Sequence, residues 1–260
     1  MTTKAGRTAA LIHDAWTRGA ALPGLPPDLA PASKAEGHAA QAALEALWAR
    51  PRAGWKIAAT SAAGQRHINV DGPLPGRLPA DRLYGDGATV SLAGNRMRVA
   101  EPEFAFRLGA DLPPRAAPYD VAEVMAVVSD LHLALELPDS RFEDFTAVGA
   151  AALIADDACA RDLVLAPPVR ADWRALDLAA HPVRAEVAGR FVRDGLGANV
   201  LGDPRFALTW LADELSVLGI GLRRGEVVIT GTAAVPLEIQ PGDRVTADFG
   251  PLGTVSAVLA

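Results

Sequence analysis

The sequence predicts an α+β protein, in which a strand-rich domain carries a few inserted helices and an N-terminal helical pair packs on it. Two observations lead to this class. From about residue 53 onwards, short runs alternate apolar and polar residues between Gly and Pro, as half-buried antiparallel strands do. Before that point, residues 6–20 and 33–50 have helical patterns. Helices that are segregated from strands are typical of α+β domains.

The N-terminal helical region is expected to span residues 1–52, and the β-rich domain residues 53–260. Ala40, Leu44 and Leu47 recur at helical spacing in the second helix, and Ser33 is placed to cap its N-terminus. The segment ALPGLPPDLAPAS between the two helices contains several prolines, which predict a loop.

Two further helices are predicted within the β-rich domain. Asp120 and Glu123 have the spacing of a capping box at the start of VAEVMAVVSDL. Residues 204–218 begin with Pro204, and Gly219 follows where a C-terminal glycine is expected. One face of this helix carries four leucines: Leu208, Leu211, Leu215 and Leu218.

Composition and charge exclude several classes of protein. The chain has 260 residues, 50% of them hydrophobic, and a net charge of −6, which argues against nucleic-acid binding. The single cysteine, Cys159, excludes an intrachain disulfide framework and fits a reducing compartment. No membrane-spanning run or signal-peptide pattern is visible, so a cytoplasmic location is expected. The absence of GxGxxG, P-loop, GxSxG and HExxH motifs argues against nucleotide enzymes, serine hydrolases and zincins.

Two carboxylates interrupt the apolar run VAEPEFAF at residues 99–106. If this run is a strand, Glu101 and Glu103 project from the same face, because side chains alternate. Pro102 donates no hydrogen bond, so the strand is expected to lie at an edge or to be irregular there. A divalent cation such as Mg²⁺ would remove the cost of burying two like charges. A solvated strand face is the alternative, but Glu136 is a third isolated acid, in the apolar run LALEL, and favours a metal site.

These acids belong to an ordered set of motifs. The E-x-E pair followed by LELPDSR resembles the fumarylacetoacetate hydrolase superfamily, and within it the 2-oxopent-4-enoate hydratase and 4-oxalocrotonate decarboxylase branch. GWKIAATS at residues 54–61 and LIADDACA at residues 153–160 resemble further segments of that branch. The same holds for LGDPRFALTWLADELSVLGIGLRRGEVVITG at residues 201–231. The likeness extends from about residue 40 to the C-terminus.

The resemblance implies a mixed β-sheet roll or barrel of the fumarylacetoacetate hydrolase C-terminal-domain type. It implies Mg²⁺ or Mn²⁺ bound by Glu101, Glu103 and Glu136, with Lys56 as the active-site lysine, whose pKa could be lowered beside the metal-bound substrate. The implied activity is that of a lyase, a hydratase that converts a 2-hydroxy-2,4-dienoate through a 2-oxo-enoate to a 4-hydroxy-2-oxo acid in aromatic-ring degradation. Members of the family are homo-oligomers, so one is expected here. The implied partner is this small acid substrate, with neither nucleic acid nor membrane.

One departure from the family pattern affects the expected acid/base chemistry. The branch reads Q-P-D-[FY]-G after the lysine strand, whereas VDGPLPG at residues 70–76 places Leu74 at the Asp position. Asp71 is a candidate to replace that catalytic acid, although a turn residue fits equally well. Ala58 and Asp157 also replace a Gly and an Asn of the pattern. Two alternatives therefore stay open: 4-oxalocrotonate-type decarboxylation, and a non-catalytic binding or partner subunit of the same fold.

Four further residues are candidates for substrate binding. Arg141 could bind a distal substrate carboxylate, with a structural salt bridge as an equally weighted alternative. Thr230, Gly231 and Thr232 occupy the family's TG position at the end of a strand and are expected to line the pocket. His67 follows the lysine strand, and a surface position is favoured for it over a role as base.

Overall fold

The computed structural model describes residues 3–48 and 51–260, and it confirms the α+β class. The described helices are α1 Lys4–Arg18, α2 Lys34–Glu45, α3 Ala62–His67, α4 Val121–Ala126, α5 Gly149–Ala155 and α6 Pro204–Val217. The described strands are β1 Arg52–Ala58, β2 Leu74–Pro79, β3 Leu83–Gly85, β4 Thr89–Val90, β5 Val99–Leu108, β6 Val128–Leu137, β7 Asp162–Leu165, β8 Pro182–Val187, β9 Phe191–Leu196, β10 Val227–Thr232, β11 Leu237–Glu238, β12 Arg244–Asp248 and β13 Thr254–Leu259.

The strands form two mixed sheets. The larger sheet has the order β2-β1-β10-β5-β6-β7-β3, with β11 paired to the start of β5. The smaller sheet has the order β4-β13-β12-β8-β9. One apolar core joins the sheets, and it contains Phe104 and Leu133 from the larger sheet and Val245 and Val255 from the smaller one. Because Phe104 faces this core, its neighbour Glu103 faces the opposite side of β5.

The N-terminal helices form where the sequence predicts them. Thr3 and Ser33 cap α1 and α2 through their side-chain oxygens. Both helices pack with α5 in an apolar cluster that includes Ile12, Leu44 and Ala155. Helix α2 ends at Glu45, earlier than the predicted residue 50, and residues 49–50 lie outside the described part. The division into domains at residue 52 stays a prediction.

The capping box at Asp120 and Glu123 is confirmed, with both reciprocal hydrogen bonds present. The helix that it starts is shorter than predicted, because the β-branched Val128 already begins β6, which pairs along its length with β5. Helix α6 begins at Pro204 as predicted, and Gly219 follows it with φ +71°. In the part of the chain that the structure describes, no helix is both long enough and apolar enough to cross a membrane.

Of the two alternatives expected at Pro102, an edge position or an irregular strand, the structure has the second. Strand β5 lies inside the larger sheet, between β10 and β6. The predicted irregularity is present, since the pairing of β10 with β5 shifts register between Ile229 and Thr232. The oxygen of Pro102 accepts a hydrogen bond from Ala233 N at 2.8 Å, so the proline lacks only the donor that it cannot supply.

Candidate active site

Three glutamates converge where β5 and β6 pair. Glu101 and Glu136 are direct partners across the two antiparallel strands. Glu103 lies two residues further along β5 and therefore faces the same side. One carboxylate oxygen from each of the three lies within 4.8 Å of the others. The structure thus brings together the three residues that the sequence nominates as metal ligands.

A bulge in β10 fixes the orientation of Glu103. The register shift between Ile229 and Thr232 inserts one residue into β10, and bulges of this kind re-aim backbone groups beside functional sites. Within it, Gly231 has φ +106°, and its N–H donates to Glu103 Oε2 at 2.6 Å. A Cβ on residue 231 would lie 2.1 Å from Thr60 Oγ1, so the position requires glycine.

Several carboxylate oxygens of the cluster lack hydrogen-bond partners. In the described part of the chain, Glu103 Oε1 and Glu136 Oε1 are buried without one, and Glu136 Oε2 has only its ion pair with Lys56. Burial raises the pKa of all three carboxyl groups, that of Glu101 to about 7, and the charge on Glu136 adds to the effect at Glu101 and Glu103. Hard divalent cations bind such oxygens and remove their repulsion. The residues therefore fit a divalent cation.

Lys56 lies beside this cluster, with 3% of its surface exposed. Its Nζ is 3.1 Å from Glu136 Oε2 and donates to Ala158 O at 3.0 Å. Burial acts to lower the pKa of Lys56, but the carboxylates of Glu136 and Glu101 outweigh burial and raise it. The lowered pKa suggested by the sequence is therefore not seen in this arrangement. A cation bound to the carboxylates would reduce the effect that raises it.

The carbonyl that accepts from Lys56 lies in an unusual backbone segment. Asp157, Ala158 and Cys159 are consecutive non-glycine residues with φ of 59°, 49° and 63°. Strain of this kind costs about 1–3 kcal/mol per residue and is found mainly at functional sites. Cys159 lines the same cavity as Lys56, and burial raises the pKa of its thiol to about 12, which keeps it neutral.

Asp157 connects this segment to the N-terminal helices. Its Oδ1 accepts hydrogen bonds from Gln41 Nε2 at 3.0 Å and from Arg77 N at 2.7 Å. Its Oδ2 is buried without a partner, and burial raises the pKa of the carboxyl group to about 7. Sequence reasoning did not find this supporting contact, because Gln41 and Arg77 belong to no motif.

A cavity of about 610 Å³ reaches the cluster at Glu101, whereas Glu103 and Glu136 are not among its lining residues. Its lining includes Lys56, Glu101, Gly231 and Thr232. Gly231 and Thr232 are two of the three residues of the TG position that were expected to line the pocket. His67 lines it as well and is exposed, in agreement with the surface position that the sequence favours; its ring packs edge-on against Phe145.

Asp71 is not brought to the site. Its side chain is 77% exposed, pairs with Lys34 Nζ at 2.6 Å and does not line the cavity. Because a turn at the surface leaves it in solvent, its position does not support the acid/base role expected from the sequence. Leu74, in the Asp position of the family pattern, does line the cavity.

Arg141 and Thr230 also lie away from the cavity. The Arg141 guanidinium is buried in an ion pair with Asp156 and donates to three backbone carbonyls, which is the structural alternative rather than the carboxylate-binding role. Thr230 is fully buried, and its hydroxyl donates to a backbone carbonyl of β5 at 3.0 Å. Both residues shape the walls around the site without facing a ligand.

Comparison with known proteins agrees with this arrangement. Residues 62–260 match the fumarylacetoacetate (FAA) hydrolase C-terminal family. The chain is 32% identical to 2-keto-4-pentenoate hydratase 1 of Dechloromonas aromatica (strain RCB), over 97% of this chain and 95% of the relative. It is 34% identical to 2-hydroxyhexa-2,4-dienoate hydratase of Comamonas testosteroni, over 78% and 76%.

The fold also matches a solved structure. The 4-oxalocrotonate decarboxylase from Pseudomonas putida G7, complexed with magnesium and adipate, superposes with a TM-score of 0.89 at 24% identity, over 100% of this chain and 99% of that one. That identity supports the common fold. Together with the family match over residues 62–260, these relatives show that the chain belongs to the fumarylacetoacetate hydrolase family.

Proposed function

We propose that this protein is a metal-dependent hydratase of aromatic-ring degradation. It adds water to the 2-oxo-enoate formed from a 2-hydroxy-2,4-dienoate and yields a 4-hydroxy-2-oxo acid. The observation that carries this proposal is the cluster of Glu101, Glu103 and Glu136 beside Lys56 at a cavity. The names of the two hydratases described above, both more than 30% identical to this chain, support the reaction class.

The three glutamates would hold Mg²⁺ or Mn²⁺, since carboxylate oxygens are the ligands that these hard cations prefer. The cation supplies a Lewis acid for the 2-oxo acid end of the substrate. The Gly231 N–H keeps Glu103 in its ligand orientation. Glu103 and Glu136 are buried, which shields their oxygens from bulk water, whereas Glu101 is half-buried at the cavity.

Lys56 is the proton carrier in this proposal. Its ammonium group is held by Ala158 O and Glu136, both fixed by the backbone around them. Ketonisation moves a proton from the 2-hydroxyl group to C5. Hydration then places the water oxygen on C4 and a proton on C3. The Lys56 ammonium lies at the cavity to deliver these protons once a bound cation offsets the carboxylates that raise its pKa. No other lysine or arginine of the described part lines the cavity.

A second candidate, a binding subunit without turnover, is favoured by one observation: Leu74 occupies the position of the family's acid. The test is to supply 2-hydroxypenta-2,4-dienoate with Mg²⁺ and to follow loss of the dienol absorbance together with 4-hydroxy-2-oxopentanoate by chromatography. Product that disappears in Lys56→Ala excludes the binding subunit. Binding of oxalate without product from any hydroxydienoate would exclude the hydratase.

We further propose a cytoplasmic homo-oligomer as the working form. The buried thiol of Cys159, free in the structure, fits a reducing compartment. Sedimentation of the purified chain at several concentrations tests the assembly: a single species at the monomer mass would contradict it.

A further inference from the structure

We infer that the substrate carries a hydrocarbon substituent at the end distal to its carboxylate, and that this substituent lies in the apolar part of the cavity. A second carboxylate at that end is excluded. This inference rests on the proposed function, because it takes the three-glutamate cluster as the site of the 2-oxo acid end.

The cavity has room for more than the reacting atoms. Pockets of about 300–1,000 Å³ enclose drug-sized ligands, and this one has about 610 Å³. A five-carbon dienoate with its carboxylate at the cluster would leave much of that volume unfilled. Apolar residues from separate segments of the chain, here called the distal wall, make up much of the lining: Ile68, Leu74, Met97, Val99, Phe145 and Leu153. Val235, 66% exposed, continues the apolar lining.

The charges of the lining oppose a second carboxylate. Of the described residues that line the cavity, Lys56 alone is a lysine or arginine, and Glu136 already holds it. The acidic residues of the lining are Glu101 and Glu238. Arg193 donates to both oxygens of Glu238, at 3.0 Å and 2.7 Å, so its guanidinium is already engaged. An unpaired carboxylate placed against apolar walls would lose its hydration without compensation.

The nearby arginines point elsewhere. Arg96 and Arg98 donate to backbone carbonyls, and neither lines the cavity. Arg141 is held by Asp156, and Arg66 on α3 also lies outside the lining. A dicarboxylate such as the substrate of a 4-oxalocrotonate decarboxylase would thus find no free lysine or arginine for its second carboxylate among the described lining residues. The histidine of the lining, His67, packs edge-on against Phe145. The distal wall favours an alkyl or aryl group.

The test is calorimetric titration of the Mg²⁺-loaded protein with matched 2-oxo acids. Oxalate probes only the site of the 2-oxo acid end at the three glutamates. The two acids 2-oxohexanoate and 2-oxoadipate have the same chain length, but the first ends in a methyl group and the second in a carboxylate. We expect 2-oxohexanoate to bind about tenfold more tightly than 2-oxoadipate, and 2-oxooctanoate more tightly still. Equal or tighter binding of 2-oxoadipate, or no gain from the longer chain, overturns the inference while oxalate still binds. Failure of oxalate to bind instead refutes the proposed function, and the inference with it.

Variants locate the effect in the cavity. Phe145→Arg places a cation on the distal wall and should reverse the preference in favour of 2-oxoadipate. Met97→Lys, on a separate segment, gives the same readout if Phe145→Arg is poorly folded. Val217→Arg is the matched control, because Val217 is 85% exposed at the end of α6 and should leave both affinities unchanged. If both cavity variants still bind 2-oxohexanoate more tightly than 2-oxoadipate, the distal end of the substrate does not lie against this wall.

Discussion

Lys56 and the three glutamates form a group of buried charges whose members depend on one another. Each carboxylate is costly to bury alone. Burial raises the pKa of each carboxyl group, and repulsion from Glu136 raises the pKa of Glu101 and Glu103 further. Lys56 offsets part of this cost through its contact with Glu136. Glu103 Oε1 and Glu136 Oε1, buried without a partner in the described part of the chain, show where a divalent cation would supply the rest.

Replacement of Lys56 should strongly reduce turnover and leave the three glutamates able to bind Mg²⁺ with oxalate. Lys56→Met keeps the apolar stem and removes the ammonium group, so kcat/KM for 2-hydroxypenta-2,4-dienoate should fall by about 10²–10⁴, the usual contribution of a proton-transfer group. Calorimetry should still detect Mg²⁺ with oxalate. Lys34→Met removes an exposed lysine as the control and should change neither. A kcat/KM within a factor of about three of wild type would exclude Lys56 as the proton carrier.

Asp157 should make stability fall as pH rises. Its ordinary pKa of 3.8 is raised to about 7 in the folded chain by burial. Between these values the folded chain keeps a proton that the unfolded chain has lost, so the free energy of unfolding decreases with rising pH. Asp157→Asn removes this titration and keeps an oxygen for Gln41 and Arg77.

With a chelator present to remove metal ions, we compare the Tm of Asp157→Asn with that of wild type at each pH. From pH 5 to pH 8 the difference in Tm should shift by about 3 °C or more in favour of the variant. Asp71→Asn is the control, since this exposed carboxyl has its pKa lowered by the hydrogen bond from Lys34 and should show no such gain. Parallel Tm profiles of wild type and Asp157→Asn would show that the carboxyl is already ionised at pH 5.

The sequence predicts which glutamates come together better than it predicts the residues around them. Glu101 and Glu103 were identifiable because a strand alternates with a fixed period of two, which puts both on one face. Asp71 and Arg141 stand outside regular strands, where sequence does not indicate the direction of a side chain. For Asp157, the supporting contact depends on a left-handed backbone that non-glycine residues seldom adopt, so no pattern predicts it.

At the scale of elements, the bulge in β10 should prove necessary for the orientation of Glu103. Gly231→Ala adds a Cβ that meets Thr60 Oγ1 at 2.1 Å. We expect a loss of about 1–3 kcal/mol in the free energy of unfolding, and weaker Mg²⁺ binding because the N–H that holds Glu103 is displaced.

Gly242→Ala is the control for Gly231→Ala, because it has the cost of a positive φ without a steric clash. Gly242 has φ +93°, close to that of Gly231, but no atom lies within 4 Å of a Cβ added there. Urea unfolding should therefore show a smaller loss for Gly242→Ala, and its Mg²⁺ affinity should equal that of wild type. Equal losses of stability and unchanged Mg²⁺ affinity in both variants would mean that the bulge does not position Glu103.

Element boundaries were less predictable than the presence of the longer elements. The capping box located the start of α4, yet its end depended on the pairing of β6 with β5, a tertiary contact. Strand β2 begins at Leu74, inside the Pro- and Gly-rich VDGPLPG segment, whose composition predicts a turn. Gly76 in that strand leaves space for the stem of Lys56, since a Cβ there would lie 2.7 Å from Lys56 Cγ.

At the scale of the whole molecule, the N-terminal helices contribute to the site as well as to the core. Gln41 of helix α2 donates hydrogen bonds to Pro75 O in β2, the strand that pairs with the Lys56 strand β1, and to Asp157. The same helices pack with α5, which leads directly into the strained segment that holds Lys56. The site is therefore supported from the larger sheet on one side and from the helical region on the other.

The most direct measurement is calorimetric titration of Mg²⁺ with oxalate into wild type, Glu103→Gln and Glu186→Gln. Glu186 is an exposed acid on β8 and serves as the control. We predict binding by wild type and Glu186→Gln, and at least a roughly 100-fold loss for Glu103→Gln, whose metal-free form should be no less stable because like-charge repulsion is relieved. Equal Mg²⁺ affinity in all three folded proteins, or no binding by wild type, would contradict a metal site at the three glutamates.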